Sequence, residues 1–130
     1  FTRNKGEIMR FTKLHQWVDE VEPGIFRVGL SSFAIKELGE VVYIDFLKNP
    51  GETVENAEPL AEIESLKSVN YFQSPFAGEI MEVNVSLQKD TSTVNRDSES
   101  TGWLFSIKIT ENTNIELMDE KKYREFAIAT

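Results

Sequence analysis

The sequence predicts a mainly β protein with peripheral helices, built as a compact β-sandwich or flattened barrel. Three observations carry this expectation. Short runs of β-branched and aromatic residues recur along the chain, separated by clusters such as Glu22-Pro23-Gly24 and Asn49-Pro50-Gly51. Trp103–Ile109 alternates cleanly, which sets Trp103, Phe105, Ile107 and Ile109 on one face. Helical spacing is confined to a short stretch near 32–38 and a C-terminal one near 119–127. At 130 residues the chain fits one domain with a real core. Residues 1–8 are polar and aperiodic and are expected to form a flexible extension, leaving 9–130 as the single folded domain.

Each element has a local reason. Met9–Thr12 and Gln16–Val18 read as short strands, Glu22-Pro23-Gly24 as a turn, and Ile25–Leu30 as the next strand. Ser31-Ser32 offers an N-cap, Ala34, Ile35 and Leu38 share a helical face, and Gly39 suits the C′ position. Val41–Phe46 has the composition of a central strand. Thr53-Val54 and Leu60–Ile63 are strands interrupted at Glu58-Pro59, where proline implies an edge or a corner. Glu79–Val85 alternates imperfectly at Met81, and Lys89–Thr101 reads as a polar loop with Val94 as its only aliphatic anchor. Asp119 can cap a last helix whose Tyr123 and Phe126 would pack on the sheet.

Composition excludes much chemistry. There is no cysteine and one histidine, His15, so no thiol nucleophile, disulfide framework or Cys/His zinc site can be built. No G-x-S-x-G elbow and no phosphate-binding G-x-x-x-x-G-K-[ST] loop is present. If the chain takes part in chemistry, a cofactor carries the reactive group. The net charge of −8 disfavours nucleic acid and anionic membrane and favours partners with basic faces. No apolar run approaches the ~20 residues of a membrane span. No signal-peptide pattern opens the chain.

One stretch stands out. The β-like runs Pro59–Ser65 and Val69–Ser74 flank Leu66-Lys67-Ser68, which puts Lys67 at the tip of a hairpin. Between Asn49 and Leu66 there is no basic residue, but there are five glutamates: Glu52, Glu55, Glu58, Glu62 and Glu64. On residue types alone Lys67 is a solubilising turn lysine, the ordinary fate of surface charge. The sharper reading is a lysine presented for covalent modification.

The motifs decide between these. His15-x-Trp17, Val28-Gly29-Leu30-Ser31, Leu38-Gly39-Glu40-Val41-Val42, Glu64-Ser65-Leu66-Lys67, Ser74-Pro75-x-x-Gly78-Glu79-Ile80-x-Glu82-Val83-Asn84 and Gly102-Trp103-Leu104 occur in that order. Together they resemble the H protein of the glycine cleavage system, from about Phe11 to Phe126. The resemblance implies a barrel-sandwich hybrid lipoyl domain with lipoic acid amide-linked to Lys67. It implies a non-catalytic, monomeric carrier. Its arm would accept an aminomethyl group from the glycine decarboxylase P protein and present it to the aminomethyltransferase T protein. The L protein, a dihydrolipoamide dehydrogenase, would reoxidise the arm, and a lipoate-attaching enzyme would load it. The compartment implied is the mitochondrial matrix in a eukaryote or the cytoplasm in a bacterium, not the exterior.

His15, Gln16, Phe33, Glu64 and Tyr71 are the residues expected at the arm cleft or on the hairpin surface. Here the sequence departs from the family. The usual H-E-W is His15-Gln16-Trp17, the usual Asp four after the lysine is Tyr71, and Leu66 replaces Val. The stretch Asn95–Trp103 lacks the usual Pro-Tyr pair. Both Gln16 and Tyr71 remove negative charge that would pair with an aminomethyl cation, so the loaded arm is expected to be held less tightly. Alternatives are a divergent lipoyl protein serving lipoate transfer or another redox partner, and an adaptor with unmodified Lys67. A biotinyl domain is disfavoured because its lysine usually lies between methionines.

Overall fold

Proline- and glycine-containing turns cut the chain into nine short strands and four helices among residues 9–111 and 116–129, the parts that the computed structural model describes. The strands are β1 (Arg10–Phe11), β2 (Gln16–Glu22), β3 (Ile25–Leu30), β4 (Val41–Phe46), β5 (Thr53–Val54), β6 (Pro59–Ser65), β7 (Val69–Gln73), β8 (Gly78–Val83) and β9 (Phe105–Ile109). The helices are α1 (Ser32–Leu38), α2 (Ser86–Lys89), α3 (Ser92–Asp97) and α4 (Glu120–Ala129). The expected extension at 1–8 and residue 130 lie outside the described residues. No helix among the described residues is long and apolar enough to cross a membrane.

Two sheets form, all of their pairings antiparallel: a six-stranded one, ordered β1-β2-β3-β9-β8-β5, and a three-stranded one, ordered β4-β6-β7. They form a sandwich with no closed barrel, the first of the two forms that the sequence allowed. Val18, Val28, Phe105, Ile107 and Ile80 from the larger sheet meet Ile44, Leu60, Ile63 and Phe72 from the smaller one, all buried. Burying each such side chain contributes roughly 1.5–3 kcal/mol, which makes this layer the main source of cohesion. A second cluster lies apart from the first. There Met9, Phe11, Trp17 and Met118 pack with Tyr123 and Ala127 of α4.

Several local expectations hold, and the structure supplies their reasons. Ser31 Oγ accepts from the Ala34 amide at 3.1 Å, and the Gly39 N–H donates to the Ile35 carbonyl at φ +81°, so α1 is capped at both ends as its sequence predicts. Pro59 is the first residue of β6, and the chain changes sheet between β5 and β6. The corner inferred from Glu58-Pro59 is therefore real. The irregularity at Met81 is a bulge in the β8–β9 ladder between Ile80 and Glu82.

Three expectations are corrected. β4 is an edge strand and β6 is the central one, paired with β4 on one side and β7 on the other. The β-branched residues of β4 reflect the burial of Val41 and Ile44 on the core side, which an edge strand shares with a central one. The segment 89–101 is not a loop throughout. It holds the end of α2 and the whole of α3, each anchored by one buried aliphatic, Leu87 and Val94. One anchor per helix leaves no periodic stripe to read. Trp103 precedes β9 and leaves the face of Phe105: it packs on the second cluster with the Arg27 guanidinium 4.7 Å over its ring, while Leu104 and Phe105 both enter the core.

Candidate functional site: the Lys67 hairpin

The β6–β7 hairpin turns at Leu66-Lys67-Ser68, and a buried serine shapes that turn. Ser65 Oγ accepts from the backbone amides of Lys67 and Ser68 at 3.3 and 3.2 Å, and the Ser65 amide donates to the Ser68 carbonyl at 2.9 Å. Such a side chain substitutes for backbone partners that a tight turn cannot supply. The tip is also tied to the α1–β4 connection, where the Leu66 amide donates to the Glu40 carbonyl at 3.0 Å. The Lys67 stem lies over Gly39, so that a Cβ there would sit 3.5 Å from the Lys67 Cε. The backbone at the tip is thus anchored twice, while the Lys67 side chain stays exposed.

The other expected site residues fall into three places rather than one. Glu64 and Tyr71 are exposed on the outer face of the three-stranded sheet. His15 and Phe33 meet beneath α4, with ring centroids 4.7 Å apart and Phe126 a further 5.7 Å neighbour of the imidazole. His15 takes φ +61°, and its Nδ1 lies 2.8 Å from the Tyr123 hydroxyl, which is 2.7 Å from Ser31 Oγ. Burial holds the imidazole below its ordinary value, against the opposing pull of the Glu37 carboxylate. Burial likewise raises the Tyr123 phenol.

Gln16 stands elsewhere and is buried. Its Nε2 donates to the Gln73 carbonyl at 2.6 Å, and its Oε1 accepts from the Thr12 hydroxyl at 3.0 Å. The amide therefore ties β2 to the far end of β7. A glutamate there would set a carboxylate against the Gln73 carbonyl, two acceptors facing each other. Gln16 also lines an open groove of about 420 Å³ with Leu14, Ala57 and Ser74, rimmed by Glu55, Glu111 and Glu116. The neutral amide at 16 thus leaves carboxylates within the same groove.

The roles of Ser65 and Glu40 at the tip, and of Tyr123 beside His15, emerge only in the folded chain. Ser65 had a signal, a serine two and three residues before the amides it serves. Tyr123 had none as a partner of His15, because the contact spans 108 residues.

A two-sheet β domain that offers one lysine on a pinned hairpin turn has the fold of the lipoyl-domain class. The chain belongs to the glycine cleavage H-protein family, whose model matches residues 9–129. It is 38% identical over 121 residues to the glycine cleavage system H protein of Thermotoga maritima, covering 92% of this chain and 96% of that one. The probable glycine cleavage system H protein of Pyrococcus abyssi is 38% identical over 122 residues, covering 92% and 90%. A crystal structure of a glycine cleavage system H protein from Mycobacterium marinum superposes with a TM-score of 0.80 at 32% identity, covering 91% of this chain and 94% of that one.

Proposed function

We propose that this protein is the lipoyl carrier of a glycine cleavage system, with lipoic acid amide-linked to Lys67 Nζ. The observation that carries the reading is the exposed Lys67 on a turn held by Ser65 Oγ and the Glu40 carbonyl. Amide formation needs an accessible amine on a backbone that a ligase can grip, and this tip provides both. When bound, the dithiolane supplies the thiol–disulfide chemistry for which a cysteine-free chain has no group of its own.

The chain's own residues present the arm rather than catalyse. Ser65 and Glu40 fix where the arm begins. The acidic surface around the tip favours partners with basic faces. Tethering raises the effective concentration of the carried group at each docked partner. The partners on this reading are the P protein, which loads an aminomethyl group, the T protein, which removes it, and the L protein, which takes up the electrons. The compartment is then the bacterial cytoplasm or the mitochondrial matrix. With Gln16 occupied by Thr12 and Gln73, and Tyr71 in place of an acid, the aminomethyl cation meets fewer carboxylates than the family's usual pattern offers.

Intact-mass measurement of protein from a lipoate-competent cell is expected to show one lipoyl increment, absent from Lys67→Ala. An unmodified wild-type chain, or a biotinyl increment, overturns the reading. Glycine–bicarbonate exchange with the P protein then separates glycine cleavage from another lipoyl role, no exchange pointing to the latter.

A further inference from the structure

The three strands of the smaller sheet hold three charged residues, Asp45, Glu62 and Glu64, all acidic. Strand register places all three on the outward face. Tyr43 lies opposite Glu64, which lies opposite Val69; one row along, Asp45 lies opposite Glu62, which lies opposite Tyr71. On the inward face of the same strands Ile44, Ile63 and Phe72 are buried. Tyr43, Val69 and Tyr71 remain 45%, 55% and 59% exposed, next to a tip where Leu66 is 73% exposed.

This face does little for the fold. Asp45 and Glu62 are like charges directly opposite each other, which is unfavourable. Asp45, Glu62 and Glu64 form no ion pair among the described residues. The phenol rings gain little from burial at these exposures. Unrelieved carboxylates and open aromatic rings side by side on one sheet face form a surface that a cationic, planar group complements. Arginine meets both features, because its guanidinium stacks on a ring and forks onto a carboxylate.

We propose that this outward face is the docking surface for the enzyme that acylates Lys67, gripped by arginine side chains between Tyr43 and Tyr71. The proposal rests on Lys67 being the attachment site. The choice of the acylating enzyme follows from reach. That enzyme must bring its reacting centre to an amine only one lysine side chain away from the turn, so its surface has to cover the adjoining strands. Enzymes that meet the end of a long acyl arm can dock farther off.

The test is steady-state lipoylation of purified apo-protein by a lipoate-attaching ligase, with apo-protein varied. Tyr43→Ser combined with Tyr71→Ser is expected to raise KM about tenfold with little change in kcat, as loss of aromatic anchors does at an interface. Tyr71→Phe keeps the ring and should stay near wild type. Glu62→Lys is the sharpest variant: it pairs with Asp45 across the strands, so the thermal midpoint should hold or rise while KM rises. A merely structural role would move the two together.

Unchanged KM in both the double variant and Glu62→Lys overturns the docking surface while leaving Lys67 as the attachment site. A fall in kcat at unchanged KM overturns it as well. End-point mass keeps the two readings apart: if wild-type Lys67 is never modified, the attachment site itself fails.

Discussion

His15 shows how one residue ties distant parts of the chain. In the proton arrangement that gives each hydroxyl an acceptor, Ala34 N–H donates to Ser31 Oγ, Ser31 O–H to the Tyr123 oxygen, and Tyr123 O–H to Nδ1 of a neutral His15. Protonating His15 turns Nδ1 into a donor and leaves one of the two hydroxyls, that of Tyr123 or of the fully buried Ser31, without an acceptor in this chain. The folded-state value is lowered by burial, so the unfolded chain takes up this proton first. The stability contribution is complete above the ordinary value of 6.5 and falls as pH drops through it towards the folded value. Urea melts at pH 7.5 and 5.5 are expected to show this loss in wild type, and a smaller one in His15→Gln. His15 thus clasps α4 to the start of α1.

At the scale of elements, the hairpin was legible and its fastening was not. Strand spacing on either side of Leu66-Lys67-Ser68 is local information, and β6 and β7 appear within a residue of where alternation puts them. The fastening depends on Glu40, which is 26 residues from Leu66 and carries no pattern that points there. Ser65→Ala tests the fastening. Losing the acceptor for two turn amides should cost on the order of 1 kcal/mol of local order. Amide exchange at Lys67 and Ser68 should quicken while the thermal midpoint moves little, and lipoylation should slow because the amine is less fixed. α2 and α3 show the opposite case. Helices of four and six residues with one buried side chain each are held by tertiary contact, such as Asn95 Oδ1 accepting from the Val41 amide at 2.8 Å, and not by their own periodicity.

Over the whole molecule, charge and topology divide the work. The net charge of −8 is spread along the chain, but the sandwich sorts it, so that the face beside Lys67 carries only acids. Attachment of the lipoyl group at low apo-protein concentration should therefore slow as ionic strength rises from about 0.1 to 1 M, where the screening length shrinks from ~10 to ~3 Å. A rate indifferent to salt would show that the acidic face does not steer the encounter. The two ends of the site set by the fold are also physical neighbours of different things. The tip abuts α1, whereas Gln16 and its groove sit at the far end of β7 and the start of β2.

The sequence by itself determined the β character, the capped helix α1, the hairpin with Lys67 at its tip, and the family. Alternation, caps and turns act over a few residues, and ordered motifs survive as text. Only the tertiary structure decided which strand is central, that the sheets stay open rather than closing into a barrel, and that Ser86–Lys89 and Ser92–Asp97 are helical. It also decided that His15, Gln16 and Glu64 part company. These outcomes depend on which surfaces meet across the core, and packing between residues far apart in the chain leaves no local pattern.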